Sequence, residues 1–374
     1  MKTKPYFFSF LTALAVASVL IPLAGCDKDN DDPENKVDPV WVYKTYEDPY
    51  QSKPCVAGNK VIVCTGPHDD YPDSKCGTHC IDRNTGTLIW KVNDGATEMM
   101  TSPLVYNDLV LEGGLNPHSR RLSDGVLQWK YVDTLLPVSM YSNPLVVGDA
   151  AYFACMFHMV KLNAGTGAGL WQTMGLYNNL RLSSPVYKNG SVYYADASNY
   201  NVTSFNEFSG AVEWEVPFEG AFANKPLVTD NEFFVGIQDS DIDTKTLRCM
   251  NLSDRTEKWG VKLGTIWSDL ALANGKIYAI GMSTVNCVSA SDGAILWQYV
   301  MSAGAVSEPL VTSDKVFVGY GNGLLCFNAN TGDVLWEYKT AAGQDGLGFS
   351  SPTLDGDKIF VSCTDGNVYC FNVN

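Results

Sequence analysis

The sequence predicts an all-β protein, an eight-bladed β-propeller whose blades are four-stranded antiparallel sheets. The first observation is a repeat of about forty residues, a period typical of propeller blades and solenoids. Eight of the nine tryptophans recur at intervals of 49, 39, 42, 43, 45, 38 and 39 residues. The second observation is that the intervals hold short β-rich runs separated by turns, without helical periodicity. The recurring residues are Trp41, Trp90, Trp129, Trp171, Trp214, Trp259, Trp297 and Trp336.

The composition fits a folded, turn-rich protein with a sizeable core. Of the 374 residues, 45% are hydrophobic, 12% are aromatic and 33 are glycine, against only 18% charged. The formal net charge of -15 gives a surface that repels phosphate backbones. We therefore expect no nucleic-acid partner.

The N-terminal 25 residues predict a lipoprotein signal peptide. Lys2 and Lys4 precede a largely apolar run over residues 6–23, and Ala24 and Gly25 lead into Cys26. These small residues before a cysteine resemble a bacterial lipobox, which implies that Cys26 carries the lipid anchor. A plain secretory signal and a transmembrane anchor are the alternatives, although the run is short and interrupted for a membrane span.

Residues 26–38 predict an acidic, flexible tether, and residues 39–374 the propeller. The segment 27–36 has no apolar side chain to bury, so ordering it would not be offset by burial. Its Asp27, Asp29 and Asp31 lack the glycine and glutamate of a calcium loop. The acidic run after Cys26 resembles the surface-export signal of some bacterial lipoproteins.

The last complete unit indicates how each blade is built. Residues 308–311, 315–319 and 323–327 predict three strands, and the turn 330–332 leads into the fourth, 333–336. In seven units a proline stands before the first strand, and the sixth has Asp269 in its place. The prolines are Pro54, Pro103, Pro144, Pro185, Pro226, Pro309 and Pro352.

The ends of the repeat predict how the ring closes. After Trp336 the chain supplies only three strands, over residues 351–354, 358–362 and 367–372, whereas residues 40–43 form a strand without a unit of their own. We expect the N-terminal strand to pair with the C-terminal blade, which removes an exposed sheet edge.

One motif in these units resembles a known repeat family. Cys80-x-Asp82-x-x-Thr85-Gly86-x-x-x-Trp90 resembles the tryptophan-docking motif of quinoprotein-type (PQQ-like) propellers, and the likeness extends over nearly all of residues 40–374. It implies that the eight recurring tryptophans are structural docking residues that join neighbouring blades. Arg255 stands where glycine belongs, and the second unit looks one residue short before Asp124, so these two turns are expected to differ.

The remaining cysteines are interpreted mainly as small core residues. Five occupy the docking-motif position in different blades, too far apart to bridge one another: Cys80, Cys249, Cys287, Cys326 and Cys370. Cys55 with Cys64 is the best candidate for a local disulfide. We predict no metal site, because His68, Cys76, His79 and Cys80 match no zinc spacing and residues 239–243 lack the remaining calcium-loop residues.

The resemblance separates two functions. Quinoprotein dehydrogenases hold a quinone and a calcium ion, usually with two adjacent cysteines beside the quinone. This chain has no Cys-Cys pair and is short for that class. We therefore predict no PQQ or calcium cofactor and no catalysis. The chain is more similar to non-catalytic propellers, notably the lipoprotein subunit of the outer-membrane β-barrel assembly machinery. That similarity implies a lipid-anchored envelope protein that provides a platform for envelope proteins, including that machinery, and we expect a monomeric propeller. The assembly subunit faces the periplasm, whereas the acidic run after Cys26 favours the cell surface, so both locations are kept as alternatives.

A binding face is predicted where the loops before the first strand and between the second and third strands share one end of the channel. Its aromatic and charged residues suit a peptide or a sugar, so a surface glycan- or nutrient-binding lipoprotein is the alternative function. The candidate residues are Tyr141, Arg181, Phe222, Trp267, Phe349, Lys53, Lys225 and Glu308.

Overall fold

A computed structural model describes most of the chain after the tether. The described residues are 37–49, 52–67, 75–95, 101–133, 142–155, 158–174, 183–196, 200–220, 224–238, 245–305, 307–321, 323–340 and 348–373. All strands belong to one compact unit, Asn35–Asn374. Cys26 and the other residues of the predicted signal peptide and tether up to residue 36 lie outside the described residues.

The described residues form 32 strands in eight four-stranded antiparallel sheets and no helix, which confirms the predicted propeller. The chain begins with β1 (Trp41–Lys44). Blades 1 to 4 then follow in order: β2 (Cys55–Ala57), β3 (Lys60–Thr65), β4 (Cys76–Asp82), β5 (Leu88–Gly95); β6 (Leu104–Tyr106), β7 (Leu109–Glu112), β8 (His118–Arg121), β9 (Leu127–Lys130); β10 (Leu145–Val147), β11 (Ala150–Ala154), β12 (His158–Asn163), β13 (Gly169–Met174); β14 (Val186–Lys188), β15 (Ser191–Asp196), β16 (Asn201–Asn206), β17 (Val212–Pro217).

Blades 5 to 8 complete the ring. They comprise β18 (Leu227–Val228), β19 (Glu232–Gly236), β20 (Leu247–Asn251), β21 (Glu257–Val261); β22 (Ala271–Ala273), β23 (Lys276–Ile280), β24 (Thr284–Ser289), β25 (Ile295–Val300); β26 (Leu310–Val311), β27 (Lys315–Tyr320), β28 (Gly323–Asn328), β29 (Val334–Lys339); and β30 (Thr353–Asp355), β31 (Lys358–Cys363), β32 (Asn367–Asn372) with β1.

The ring closes as the sequence predicts. Strand β1 pairs antiparallel with β32, with Trp41 opposite Cys370 and Lys44 opposite Asn367. The inner strand β30 of blade 8 contacts the inner strand β2 of blade 1. The first and last strands of the propeller thus share one sheet, and β32 has no free edge.

The core lies between the blades. The second and third strands of each blade are almost wholly buried, as in β27 and β28, because both of their faces pack against neighbouring sheets. Outer strands alternate instead, and β25 buries Trp297 while it exposes Ile295 and Leu296. Eight apolar clusters fill the eight interfaces between adjacent blades.

The recurring tryptophans lie at these interfaces. Trp41 lies over the turn of blade 1, where its Nε1 donates to the Arg83 carbonyl at 3.0 Å. A Cβ on Gly86 would lie 2.8 Å from the Trp41 ring, and Gly86 has φ +71°, so this position requires glycine on two grounds. Five other indoles make the same bond to the next blade, to the carbonyls of Leu122, Ala164, Glu207, Ala290 and Ala329.

The two turns that were expected to differ keep the common backbone. Arg255 has φ 64° and its amide donates to the Asn251 carbonyl, as Gly86 does to Asp82. Its guanidinium lies 5.9 Å from the Trp214 ring, so a cation–π contact replaces the glycine contact. In blade 2, Gly125 donates to Arg121 in the same pattern, so no residue is missing. Both expectations were wrong.

The prediction that Asp269 takes the place of the proline in blade 6 was wrong. Ala271 lies opposite Tyr278 in blade 6, as Leu310 lies opposite Phe317 in blade 7. The proline position of blade 6 is therefore Leu270, and Asp269 stands one residue earlier.

The expected disulfide is not formed either. Cys55 lies opposite Ile62 rather than Cys64, and neither cysteine belongs to a disulfide. Cys64 lies two residues beyond Ile62 on the same face of the sheet, and its Sγ lies 3.4 Å from Oε1 of Glu112 in blade 2. The five docking-position cysteines are fully buried, each opposite a tryptophan in its sheet, and Cys80 and Trp90 are one such pair.

Candidate functional site at the channel mouth

A three-residue step leads into each inner strand and positions the mouth of the channel. Its first residue is buried, and in most blades its hydroxyl hydrogen-bonds the backbone twelve residues later. Ser52 accepts from the Cys64 amide at 2.9 Å, and Ser142 from the Ala154 amide at 3.1 Å. These bonds hold the second residue of each step at the channel mouth. The second residues are Lys53, Ser102, Asn143, Ser184, Lys225, Asp269, Glu308 and Ser351.

Hydrogen bonds between blades fix these second residues around the ring. The Lys53 amide donates to Ser102 Oγ at 3.0 Å, and the Ser102 amide to Asn143 Oδ1 at 2.7 Å. The amides of Lys225 and Glu308 donate in the same way to Asp269 and Ser351. Each side chain that accepts is thereby oriented by the preceding blade.

Ion pairs then span the channel. Lys53 Nζ lies 2.9 Å from Glu308 Oε2, Lys225 Nζ lies 3.4 Å from Glu308 Oε1, and Lys225 Nζ lies 2.9 Å from Asp269 Oδ2. Blades 1 and 5 are opposite each other in a ring of eight, and Glu308 of blade 7 reaches both lysines. We call Lys53, Lys225, Asp269 and Glu308 the mouth network.

The mouth network keeps its central groups charged. Burial favours neutral Lys225, but the carboxylates of Asp269 and Glu308 outweigh it and raise the pKa of Lys225. Burial likewise opposes the charge of Glu308, yet Lys225 and Lys53 lower the pKa of that carboxyl. Two cations and two anions therefore neutralise one another across the channel.

The structure brings together only part of the predicted binding face. Lys53, Lys225 and Glu308 meet in the mouth network, and Trp267 lies half-buried beside it, two residues before Asp269. The prediction that Phe349 belongs to the binding face was wrong. Its side chain is 1% exposed and packs edge-on against Tyr338, with 6.3 Å between the ring centroids. Tyr141, Arg181 and Phe222 lie outside the described residues.

Sequence reasoning missed three buried acid–histidine pairs at consecutive blades. Glu47 lies 2.8 Å from His79, Glu112 lies 2.7 Å from His118, and Asp133 lies 2.6 Å from His158. His79 and His118 both directly precede the residue opposite the docking tryptophan. Aligning the units on that position would have brought out this repeated histidine.

The surroundings give the histidines different protonation preferences. Burial lowers the pKa of His79 despite its bond to Glu47, and burial also lowers the pKa of His158. At His118 burial acts in the same direction, but the Glu112 carboxylate outweighs it and raises the pKa. The Glu112 pKa falls to about 2: burial opposes its charge, but His118 and Arg120 stabilise it.

The candidate metal residues do not meet. His79 Nδ1 lies 2.9 Å from the Tyr43 hydroxyl and Nε2 is bonded to Glu47, so both ring nitrogens already have partners. Over the described residues there is no group of three or more His, Cys, Asp or Glu side chains that could hold a metal ion. His68 and residues 239–243 lie outside them.

Among the described residues, no helix has the length and apolar character needed to cross a bilayer.

Solved propellers share this architecture. BamB from Moraxella catarrhalis superimposes with a TM-score of 0.69 and 13% identity, over 90% of this chain and 98% of that one. The quinohemoprotein alcohol dehydrogenase from Comamonas testosteroni gives 0.63 and 11%, over 91% and 77%. A europium-containing methanol dehydrogenase gives 0.67 and 12%, over 87% and 84%. At these identities the likeness shows the fold alone, shared by an assembly factor and by enzymes.

Sequence comparison is more specific. The outer membrane protein assembly factor BamB of Yersinia pestis is 25% identical over 175 residues, which cover 42% of this chain and 43% of that protein. The match therefore spans less than half the length of that relative. The family described as outer membrane protein assembly factor BamB matches residues 38–174, 157–265 and 243–374. Because these matches together extend over the whole propeller, the chain belongs to the BamB family of PQQ-like repeat propellers.

Proposed function

We propose that this protein is a non-catalytic docking platform for envelope proteins, anchored in the outer membrane through a lipid on Cys26. The observation that carries the proposal is the mouth network in a member of the BamB family. A channel spanned by mutually neutralised side chains leaves the loops and rim, rather than the channel interior, for recognition. Partners of this kind include components of the outer-membrane β-barrel assembly machinery, and the propeller acts as a monomer.

The mouth network also supports the absence of a quinone–calcium site. Calcium binds clustered carboxylate and amide oxygens. Here the two carboxylates, Glu308 and Asp269, face Lys53 and Lys225, so a calcium ion would have to displace two ammonium groups that already compensate the charge. We therefore propose that neither PQQ nor calcium is a cofactor and that dehydrogenase activity is absent.

The alternative is a surface glycan- or nutrient-binding lipoprotein. Half-buried Trp267 near the channel mouth favours it, because an indole provides a flat apolar surface for a sugar. This alternative places the propeller outside the cell, whereas the platform function is compatible with the surface or the periplasm.

The test uses the full chain in native membranes. A lysine-reactive crosslinker followed by mass spectrometry should identify envelope proteins joined to the propeller, and Cys26→Ala should move the chain from the membrane to the soluble fraction. The purified protein should show neither a quinone absorbance nor stoichiometric calcium. A bound quinone with calcium, or a propeller that crosslinks to no envelope protein, would overturn the proposal.

A further inference from the structure

Blade 5 differs from the others in the three-residue step that leads into its inner strand. Seven blades have serine or threonine as its buried first residue, and Asn224 replaces it in blade 5. In a repeat protein the structural demand on equivalent positions is the same, so a departure from the pattern marks a place where another demand acts. The seven are Ser52, Thr101, Ser142, Ser183, Ser268, Ser307 and Ser350.

The polar atoms of the Asn224 side chain have no hydrogen bond within the described part of the chain. It is 2% exposed, and neither Oδ1 nor Nδ2 has a hydrogen-bond partner among the residues that the structure describes. The protein also makes room for it, because a Cβ on Gly236 would lie 2.8 Å from Asn224 Nδ2. Leaving a buried carboxamide unpaired is costly, so Asn224, which finds no bond among the described residues, has hydrogen-bonding capacity left for another group.

A second unpaired amide and an indole lie nearby. Gln238 Nε2 is buried without a partner within the described part of the chain. Its neighbour Ile237 accepts a hydrogen bond from the Ile266 amide at 3.2 Å, so Gln238 and Trp267 each follow one member of this bonded pair at the junction of blades 5 and 6. The adjacent Lys225 and Asp269 are bonded to each other, so the charges are already compensated there.

We propose that Asn224, Gln238 and Trp267 form a subsite that holds an uncharged main-chain peptide group of a partner protein, in an extended segment. A carboxamide presents one acceptor and donors in a plane, which complements the N–H and C=O of a peptide group. The compensated charges disfavour an ionic ligand, and the Trp267 indole offers an apolar surface to the adjoining side chain. This inference rests on the proposed platform function and names where one partner segment binds.

The test places a photo-crosslinker next to the subsite in the full, lipidated chain in native membranes. Met282 is 60% exposed and follows Gly281, which bridges to Ile266, so benzoylphenylalanine at 282 reaches the subsite without replacing its residues. A crosslinker at Phe208, 80% exposed in the turn between β16 and β17, is the control position. Mass spectrometry then identifies the crosslinked protein and peptide.

The decisive variant is Asn224→Ser, which restores the step of the other blades. We expect the adduct at 282 to fall about tenfold, as loss of a paired carboxamide implies, while Tm changes by less than about 2 °C. Adducts at 208 should be unaffected. Ser142→Ala removes a step hydroxyl in blade 3, and it should lower Tm by about 2–4 °C and keep the adduct at 282.

The outcomes separate this subsite from the platform function. An unchanged adduct at 282 in Asn224→Ser, or a drop in Tm well beyond 2 °C, shows that Asn224 is structural and overturns the inference. A carbohydrate adduct at 282 overturns it in favour of a glycan. If envelope proteins are captured at position 208 but not at position 282, the subsite is overturned and the platform function is kept. If no envelope protein is captured at either position or by the lysine-reactive crosslinker, the platform function is overturned too.

Discussion

Single residues in this propeller are constrained by contacts between blades more than by their own strands. Gly86 illustrates this, because it has a left-handed backbone and also lies against the Trp41 ring. Gly58, with φ +58°, has the same kind of backbone, but an added Cβ there would meet no heavy atom within 4 Å. The two glycines therefore separate backbone strain from interblade contact.

The Gly86→Ala variant should be destabilised by about 2–4 kcal/mol, since backbone strain adds to the clash with Trp41. Gly58→Ala should lose only about 1 kcal/mol, because it carries the backbone strain alone. Urea unfolding followed by tryptophan fluorescence measures both. Equal losses in the two variants would show that the contact with the indole does not contribute.

The Glu112–His118 pair predicts a pH dependence of stability. The Glu112 pKa is lowered from 4.5 to about 2, so its contribution is complete above about pH 4.5 and is lost as the pH falls toward 2. The His118 pKa is raised above 6.5, so its contribution is complete below that pH and is lost as the pH rises through the folded-state value.

Glu112→Gln should therefore cost about 3–5 kcal/mol near pH 6, where it leaves His118 and Arg120 without their carboxylate. The difference from the parent protein should narrow toward pH 2 and also at alkaline pH. Free energies of unfolding from urea titrations between pH 3 and 9 provide the measurement, with exposed Glu215→Gln as the control. A difference that stays constant with pH would contradict the pairing.

Among the elements, β1 determines whether the ring is closed. It supplies the outer strand of blade 8, and Trp41 packs on the turn of blade 1. A chain that begins at Thr45 should lose about 3–5 kcal/mol, comparable to removal of a buried tryptophan, and should aggregate through the exposed edge of β32. Thermal unfolding and light scattering test this against a chain that begins at Val37, which should behave as the full protein does.

The elements also show what the sequence could and could not predict. Tryptophan spacing located the blades and the closing strand, because each docking residue repeats a local turn. Phe349 was misplaced because an aromatic in a loop has no pattern that distinguishes core from surface, and Asp269 was misaligned because blade 6 lacks the proline. The replacement of serine or threonine by Asn224 can be read from aligned units. Its unpaired burial and the pair of Glu47 with His79 depend on packing between elements, so they emerge only in the folded ring.

For the whole molecule, the mouth network couples blades that do not touch through their strands. Glu308 of blade 7 bonds both Lys53 of blade 1 and Lys225 of blade 5, so its charge contributes to the alignment of three blades. Blades of a propeller otherwise interact with their immediate neighbours. A network of this kind couples blades 1, 5 and 7, which favours a ring that unfolds as one unit.

A double-mutant cycle on Glu308→Gln and Lys225→Met tests that coupling. Glu308→Gln should lower the free energy of unfolding by about 2–3 kcal/mol, because it leaves two lysines close together with one carboxylate. Lys225→Met should lower it by a similar amount, because the negative charges of Glu308 and Asp269 are then less compensated. The double variant should be more stable than the sum of the two losses predicts, with a coupling of about 1–3 kcal/mol. Additive losses would mean that the blades are held by their neighbours alone and that the mouth network does not couple them.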